Sequence, residues 1–137
     1  MRIYLAGGMR SNWQDRVIAA LSNHTFFDSR THGLVHEQDY TAWDLQHIQM
    51  SDVVFAYMEA DNPSGVGLAL ELGFAFALGK FIMFVDSSAP DKERYFGMCR
   101  SVSDKTFRDL DDGIDHLVQY QKLFATLFTR EDTKDDN

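Results

Sequence analysis

The feature that most constrains this chain is its alternation of short β-rich runs with helically spaced segments. Arg2 to Ala6 (RIYLA), Thr25 to Asp28 (TFFD), Val53 to Met58 (VVFAYM) and Phe81 to Asp86 (FIMFVD) read as strands. Between them, Trp13, Val17, Ile18, Ala20 and Leu21 recur at helical spacing, a second helix is expected from about Tyr40 to Met50, and Leu68 to Leu78 is apolar almost all round before Gly79. Ile114, Leu117, Val118, Leu123, Leu127 and Phe128 mark a last helix. Ser87 to Phe107 is weakly patterned and is assigned a short helix or turn and a fifth strand. Such alternation forces right-handed βαβ units. The expected fold is α/β: one doubly wound domain, flavodoxin-like or Rossmann-like, with a mainly parallel five-stranded sheet in the order 2-1-3-4-5. The domain is expected over residues 1–129, with Arg130 to Asn137 (REDTKDDN) as a polar, disordered tail. Ligands of such sheets bind beyond the carboxyl ends of the strands, which singles out Tyr4 to Arg10, Asp28 to His32, Tyr57 to Gly67 and the chain from Asp86 onward.

Composition narrows the partners. A net charge of -8 repels a nucleic-acid backbone, so no nucleic-acid polymer is expected. The longest apolar stretch, Val66 to Leu78, is too short for a bilayer and carries Glu71 in its middle, so no membrane partner is expected either. A single cysteine, Cys99, and no recognisable leader fit a reducing cytoplasm. His24, His32, His36 and His47 lack metal-ligand spacing, and neither a metal nor a cofactor is expected.

Glu71 is the only ionisable group between Gly65 and Lys80. Near a helix start, unpaired N–H groups and the macrodipole would hold its carboxylate ionised, as a nucleophile requires. The plainer reading is a carboxylate that caps the helix or pairs with an arginine. Gly67, one turn earlier on the same face, leaves room above it for a ligand. Ala69, Gly73 and Ala77 form a small-residue stripe, read as core packing. Asp44 precedes His47 by three residues, a spacing equally suited to an exposed charged pair. Asp52 is read as a cap to the third strand. Gly7-Gly8-Met9-Arg10 is either a tight strand-to-helix turn or one whose N–H groups and Arg10 face an anionic or hydroxyl-rich ligand. The third glycine of a dinucleotide fingerprint is absent.

Taken together, Tyr4-Leu5-Ala6-Gly7-Gly8-Met9-Arg10, Asp44-Leu45 followed by Asp52-Val53-Val54, Gly67 to Gly73 and Gly79-Lys80 resemble the nucleoside 2-deoxyribosyltransferase family, including the related deoxynucleoside 5′-monophosphate N-glycosidases. The resemblance covers roughly residues 1 to 86. It implies that Tyr4, Asp44 and Glu71 line one pocket. Glu71 would attack the anomeric carbon and form a covalent glycosyl-enzyme, Asp44 would supply or shuttle the proton of the departing base, and Tyr4 would orient Glu71. Trp43, Tyr57 or Phe74 would stack on the base. The implied partners are a small nucleoside or nucleotide and a free nucleobase.

Gly65 departs from the family pattern, which has Asp or Ser six residues before the nucleophile; Ser64 or Asn62 is expected to substitute. Arg10 is expected to pair with Asp15 or Asp39, or with an oligomer partner, leaving an uncharged deoxynucleoside as the favoured substrate. The rival readings are a nucleoside 5′-monophosphate hydrolase and a non-catalytic nucleotide-sensing module. A homo-oligomer, a dimer or an assembly of dimers, is expected because Phe96, Met98, Phe124 and Phe128 add apolar surface and because the family shares pocket residues between subunits.

Overall fold

The computed structural model describes residues 1–135, and the side chains of residues 1–126. It is a five-stranded sheet in the order β2-β1-β3-β4-β5, with every neighbouring pair parallel. The strands are β1 (Arg2–Gly7), β2 (Thr25–Asp28), β3 (Val53–Met58), β4 (Phe81–Asp86) and β5 (Lys105–Phe107), and the helices are α1 (Trp13–Ala20), α2 (Glu37–Met50), α3 (Val66–Ala77), α4 (Gly97–Val102) and α5 (Leu110–Asp135). The weakly patterned region thus contains one short helix and the edge strand, with a 3-10 turn at Glu93–Phe96 before them. Order and fold class are those expected. α5 carries helical backbone through most of the stretch read as a tail; residues 136–137 lie outside the described ones, as does the Phe128 side chain.

Alternation along each strand sends its side chains to two cores. Tyr4 and Ala6 of β1 join Val54, Ala56 and Met58 of β3 beneath α2, α3 and α4, while Ile3, Leu5, Val53 and Phe55 face α1 and α5. Both faces of the sheet are covered, which is why β3 and β4 are near-continuous apolar runs. Asp52 fixes the entry to β3: its carboxylate accepts from the Arg2 N–H at 2.8 Å.

α3 buries Leu68, Leu72 and Ala75. Ala69, Gly73 and Ala77 lie on its exposed side, together with Leu70 and Phe76, so the small-residue stripe is not core packing. A helix apolar all round leaves an apolar outer face when only one side meets the sheet. Phe96 corrects the expected surface in the other direction: it is 4% exposed and belongs to the core, whereas Met98 is 83% exposed. No described helix is long and apolar enough to cross a membrane.

Candidate active site

The site is built on the face of the sheet beneath α2 and α3, around Tyr4 in the middle of β1. Tyr4 is fully buried, and its side chain points to the α2–α3 side, where its hydroxyl lies 3.3 Å from Ser29 Oγ. Ser29 Oγ donates to Asp44 Oδ1 at 2.9 Å. Tyr4 also bears on Glu71: burial raises the phenol pKa and the Glu71 carboxyl group raises it further, while the Tyr4 hydroxyl opposes the upward shift that burial imposes on Glu71. Three elements that are far apart in sequence, β1, α2 and α3, therefore bring Tyr4, Asp44 and Glu71 into one electrostatic group.

Ser29 owes its position to its neighbours. It opens a 3-10 turn, Ser29–Thr31, directly after β2, with Asp28 as the cap. Asp28 accepts from the Arg30 backbone N–H at 3.0 Å and holds the Arg30 guanidinium at 2.7 Å, while the same guanidinium reaches Asp15 at 2.8 Å. The two ends of that clamp tie the turn to α1. Ser29 had no individual signal in the sequence beyond lying in a loop at the carboxyl end of a strand. Asp15 is consumed by Arg30, so it is not the partner of Arg10; Arg10 is exposed and forms no ion pair among the described residues.

Glu71 departs from expectation in its charge. It stands in the second turn of α3, beyond the N–H groups and the end charge that act within the first turn. Burial pushes its pKa up to about 8, opposed by the Tyr4 hydroxyl and reinforced by the negative charge of Asp44. The shift favours the protonated carboxyl group near neutral pH. Its Oε2 is buried and accepts no hydrogen bond among the described residues.

The glycine turn is shaped by its backbone. Gly7 has φ +150°, and a Cβ there would lie 2.5 Å from the Tyr57 carbonyl oxygen. The Gly8 carbonyl accepts from Trp13 Nε1 at 2.8 Å and Gln14 Nε2 at 3.1 Å, which pins the turn to α1; Met9 is exposed. Gly67 meets nothing within 4 Å at its missing Cβ, in keeping with open space on that face. Ser64 is exposed, and its hydroxyl accepts from the Val66 N–H at 3.2 Å at the start of α3.

The aromatic candidates separate. Trp43 packs against the Tyr4 side of the sheet, stacked on His47 at 3.8 Å and met edge-on by His32 at 5.0 Å; Phe74 packs against the same core. Tyr57 belongs to the opposite face, edge-on to Trp13, because it alternates with Ala56 and Met58 along β3. It is therefore removed from the candidates for stacking beside Glu71. On that opposite face lies a polar group absent from the sequence reading: Glu59 is buried, accepts from Ser11 Oγ, and leaves Oε2 without a described partner.

The family described as "Nucleoside 2-deoxyribosyltransferase like" matches residues 1–89. A 2-deoxyribosyltransferase from Bacillus psychrosaccharolyticus superposes with a TM-score of 0.65 at 25% identity, over 82% of this chain and 89% of that one. A 2-deoxyribosyltransferase from Leishmania mexicana gives 0.67 at 19% identity, over 86% and 97%, and the CMP N-glycosidase BcmB of Clostridium botulinum gives 0.63 at 19% identity, over 88% and 99%. Comparison with curated proteins gave no match.

Proposed function

The chain belongs to the nucleoside 2-deoxyribosyltransferase-like family, and from that premise we propose that it transfers 2-deoxyribose between nucleobases through a covalent glycosyl-Glu71 intermediate. The observation that supports the reading is that Ser29 joins Tyr4 and Asp44, and that both of these bear electrostatically on Glu71. Glu71, once ionised, attacks the anomeric carbon as the C–N bond to the base breaks. Asp44 protonates the leaving base, and Tyr4 holds the nucleophile in line. A second base then displaces Glu71 from the sugar and returns its proton to Asp44, so the configuration at the anomeric carbon is retained over two displacements. Trp43, exposed in part beside Asp44, offers a face for the base.

Incubation with a deoxynucleoside and a different free base, followed by chromatography, tests this reading: a new deoxynucleoside is expected. Free sugar and base alone would make the protein a hydrolase.

One observation favours a second reading. Arg10 has no carboxylate partner among the described residues and stands at the end of β1, near the Gly7-Gly8 turn, ready for a 5′-phosphate. The net charge of -8 and the absence of a polar side chain at Gly65 weigh against it, and the uncharged deoxynucleoside remains the proposed substrate.

The protein is also proposed to act as a homo-oligomer. Leu70, Phe76, Tyr95 and Met98 are exposed around α3 and α4, and a hollow of about 250 Å³ lined by Ala69, Gly73, Tyr95 and Met98 lies among them. An apolar surface of this kind suits a second copy of the chain.

A further inference from the structure

We propose that the hollow between the starts of α1 and α5, on the face of the sheet opposite Tyr4, is a second binding site for a small planar cation with N–H donors, an amidinium or guanidinium group. The hollow has a volume of about 400 Å³ and is lined by Ser11, Trp13, Arg16, Tyr57, Glu59 and Leu110. It is separate from the Tyr4 group: Trp13, Tyr57 and Leu110 pack with Ile3 and Phe55, whereas Tyr4 belongs to the other core. Its decisive polar group is Glu59, which follows the last residue of β3 and is 6% exposed. Glu59 Oε1 accepts from Ser11 Oγ, while Oε2 is buried and accepts no hydrogen bond among the described residues. A buried carboxylate oxygen without a donor is costly, and a ligand that brings an N–H to the carboxylate relieves that cost. Ser11 is exposed, so an entering donor reaches the carboxylate by turning one surface hydroxyl aside.

The walls set the shape and the charge that fit. Trp13 and Tyr57 meet edge to face with ring centroids 5.5 Å apart, which places aromatic surface beside the carboxylate. Such surface favours a flat, weakly hydrated cation over a compact one. Burial raises the Tyr57 pKa and the Ser87 hydroxyl lowers it; among the charges that reach the phenol, those of Glu59 and Asp109 raise it and that of Arg16 lowers it. Two carboxylates therefore bear on the hollow against one guanidinium. Arg16 and the start of α5 are the features that would draw an anion instead, and both are already engaged. Arg16 is paired with Asp111. Asp109 caps α5 by accepting from the N–H groups of Asp111 at 2.8 Å and Asp112 at 3.3 Å. Glu59 is left as the group short of a donor, and a charge-assisted bond is the strongest way to supply one. The hollow also adjoins the glycine turn: Trp13 Nε1 donates to the Gly8 carbonyl at 2.8 Å, and a Cβ on Gly8 would lie 3.3 Å from Glu59 Oε2. The Trp13 indole N–H is thus a built-in reporter of occupancy.

Benzamidinium serves as the probe, with benzamide as its neutral counterpart and benzoate as its anionic one. Each is titrated into the full chain while the two indole N–H signals are followed by nitrogen-15 NMR, Trp43→Phe identifying which signal is which. Trp43 packs on the other face and is the internal control. Benzamidinium is expected to shift the Trp13 signal saturably with no matching change at Trp43, and benzamide to bind at least about tenfold more weakly. Glu59→Gln, which keeps the shape and removes the charge, is expected to weaken benzamidinium by roughly ten- to hundredfold. Arg16→Ala removes the cation that lines the hollow and is expected to tighten benzamidinium by about a few-fold. The absence of a saturable response to benzamidinium, a preference for benzoate, unchanged binding by Glu59→Gln or weaker binding by Arg16→Ala would each overturn the site. The comparison of the three probes on wild type needs no variant, so it decides the question even if Glu59→Gln fails to fold.

Discussion

Phe96 occupies the space that a side chain at position 65 would need. A Cβ on Gly65 would lie 2.7 Å from two carbons of the Phe96 ring and 3.1 Å from Met58 Sδ, and the backbone there has φ +79°. The missing polar group at this position is thus built into the packing of α3 against the turn at residues 93–96. Gly65→Ser is expected to destabilise the protein by about 1–3 kcal/mol, from strain at a positive φ plus overpacking. Gly65→Ser with Phe96→Ala should restore part of the volume but keep the φ penalty. Urea midpoints for the two variants check this: a Gly65→Ser protein as stable as wild type would mean that the ring does not hold that position.

The buried acid at Glu71 makes stability depend on pH. Burial pushes its carboxyl up to about 8 from an ordinary value near 4.5, so the folded state holds the extra proton between these values. Stability from this group is fully present below about pH 4.5 and is lost as pH rises toward 8. Glu71→Gln removes the loss and should be more stable than wild type at pH 8 by on the order of a few kcal/mol, the difference shrinking as pH falls to 5. Denaturant titrations at the two pH values read it directly. A constant difference across that range would mean that Glu71 is already ionised in the fold.

Arg10 separates the two substrate readings. For an uncharged deoxynucleoside, Arg10→Ala should change kcat/KM by less than about tenfold, because no charge-assisted bond is lost. If the substrate carries a 5′-phosphate, the same variant should lose roughly ten- to hundredfold for the monophosphate alone. Wild-type preference for the monophosphate, abolished in Arg10→Ala, would reverse the proposed substrate.

The exposed face around α3 predicts self-association. Light scattering at micromolar concentration should give a dimer or a multiple of it, and Leu70→Lys with Met98→Glu should shift it toward monomer by placing charges in the apolar patch. A wild-type monomer with full activity would contradict the oligomer.

The sheet was legible because each strand is a compact run of β-branched and aromatic residues bounded by glycine or polar turns, and because parallel connections admit few orders. Tyr4, Asp44 and Glu71 were singled out by the resemblance to the deoxyribosyltransferase family, and Tyr4 and Asp44 meet at Ser29 in the fold. Ser29 was not: a serine in a polar loop carries no periodic signal, and its place depends on the Asp28–Arg30 clamp reaching across to Asp15. The charge state of Glu71 was misread for a related reason. Helix position suggested an anion, but desolvation beneath the neighbouring elements outweighs an end charge one turn away. Tyr57 shows a signal that was available: alternation with Ala56 and Met58 puts it on the far side of the sheet.

Rapid quenching tests Glu71 as the covalent nucleophile directly. Wild type is mixed with a deoxynucleoside in the absence of acceptor base, quenched in acid within the first turnover, digested and analysed by peptide mass spectrometry. The peptide containing Glu71 is predicted to carry one deoxyribosyl group, released when a second base is added before quenching, and a folded Glu71→Ala variant is predicted to show neither adduct nor turnover, with a loss of at least about a thousandfold. An adduct on another residue, or turnover close to wild type in Glu71→Ala, would contradict the mechanism.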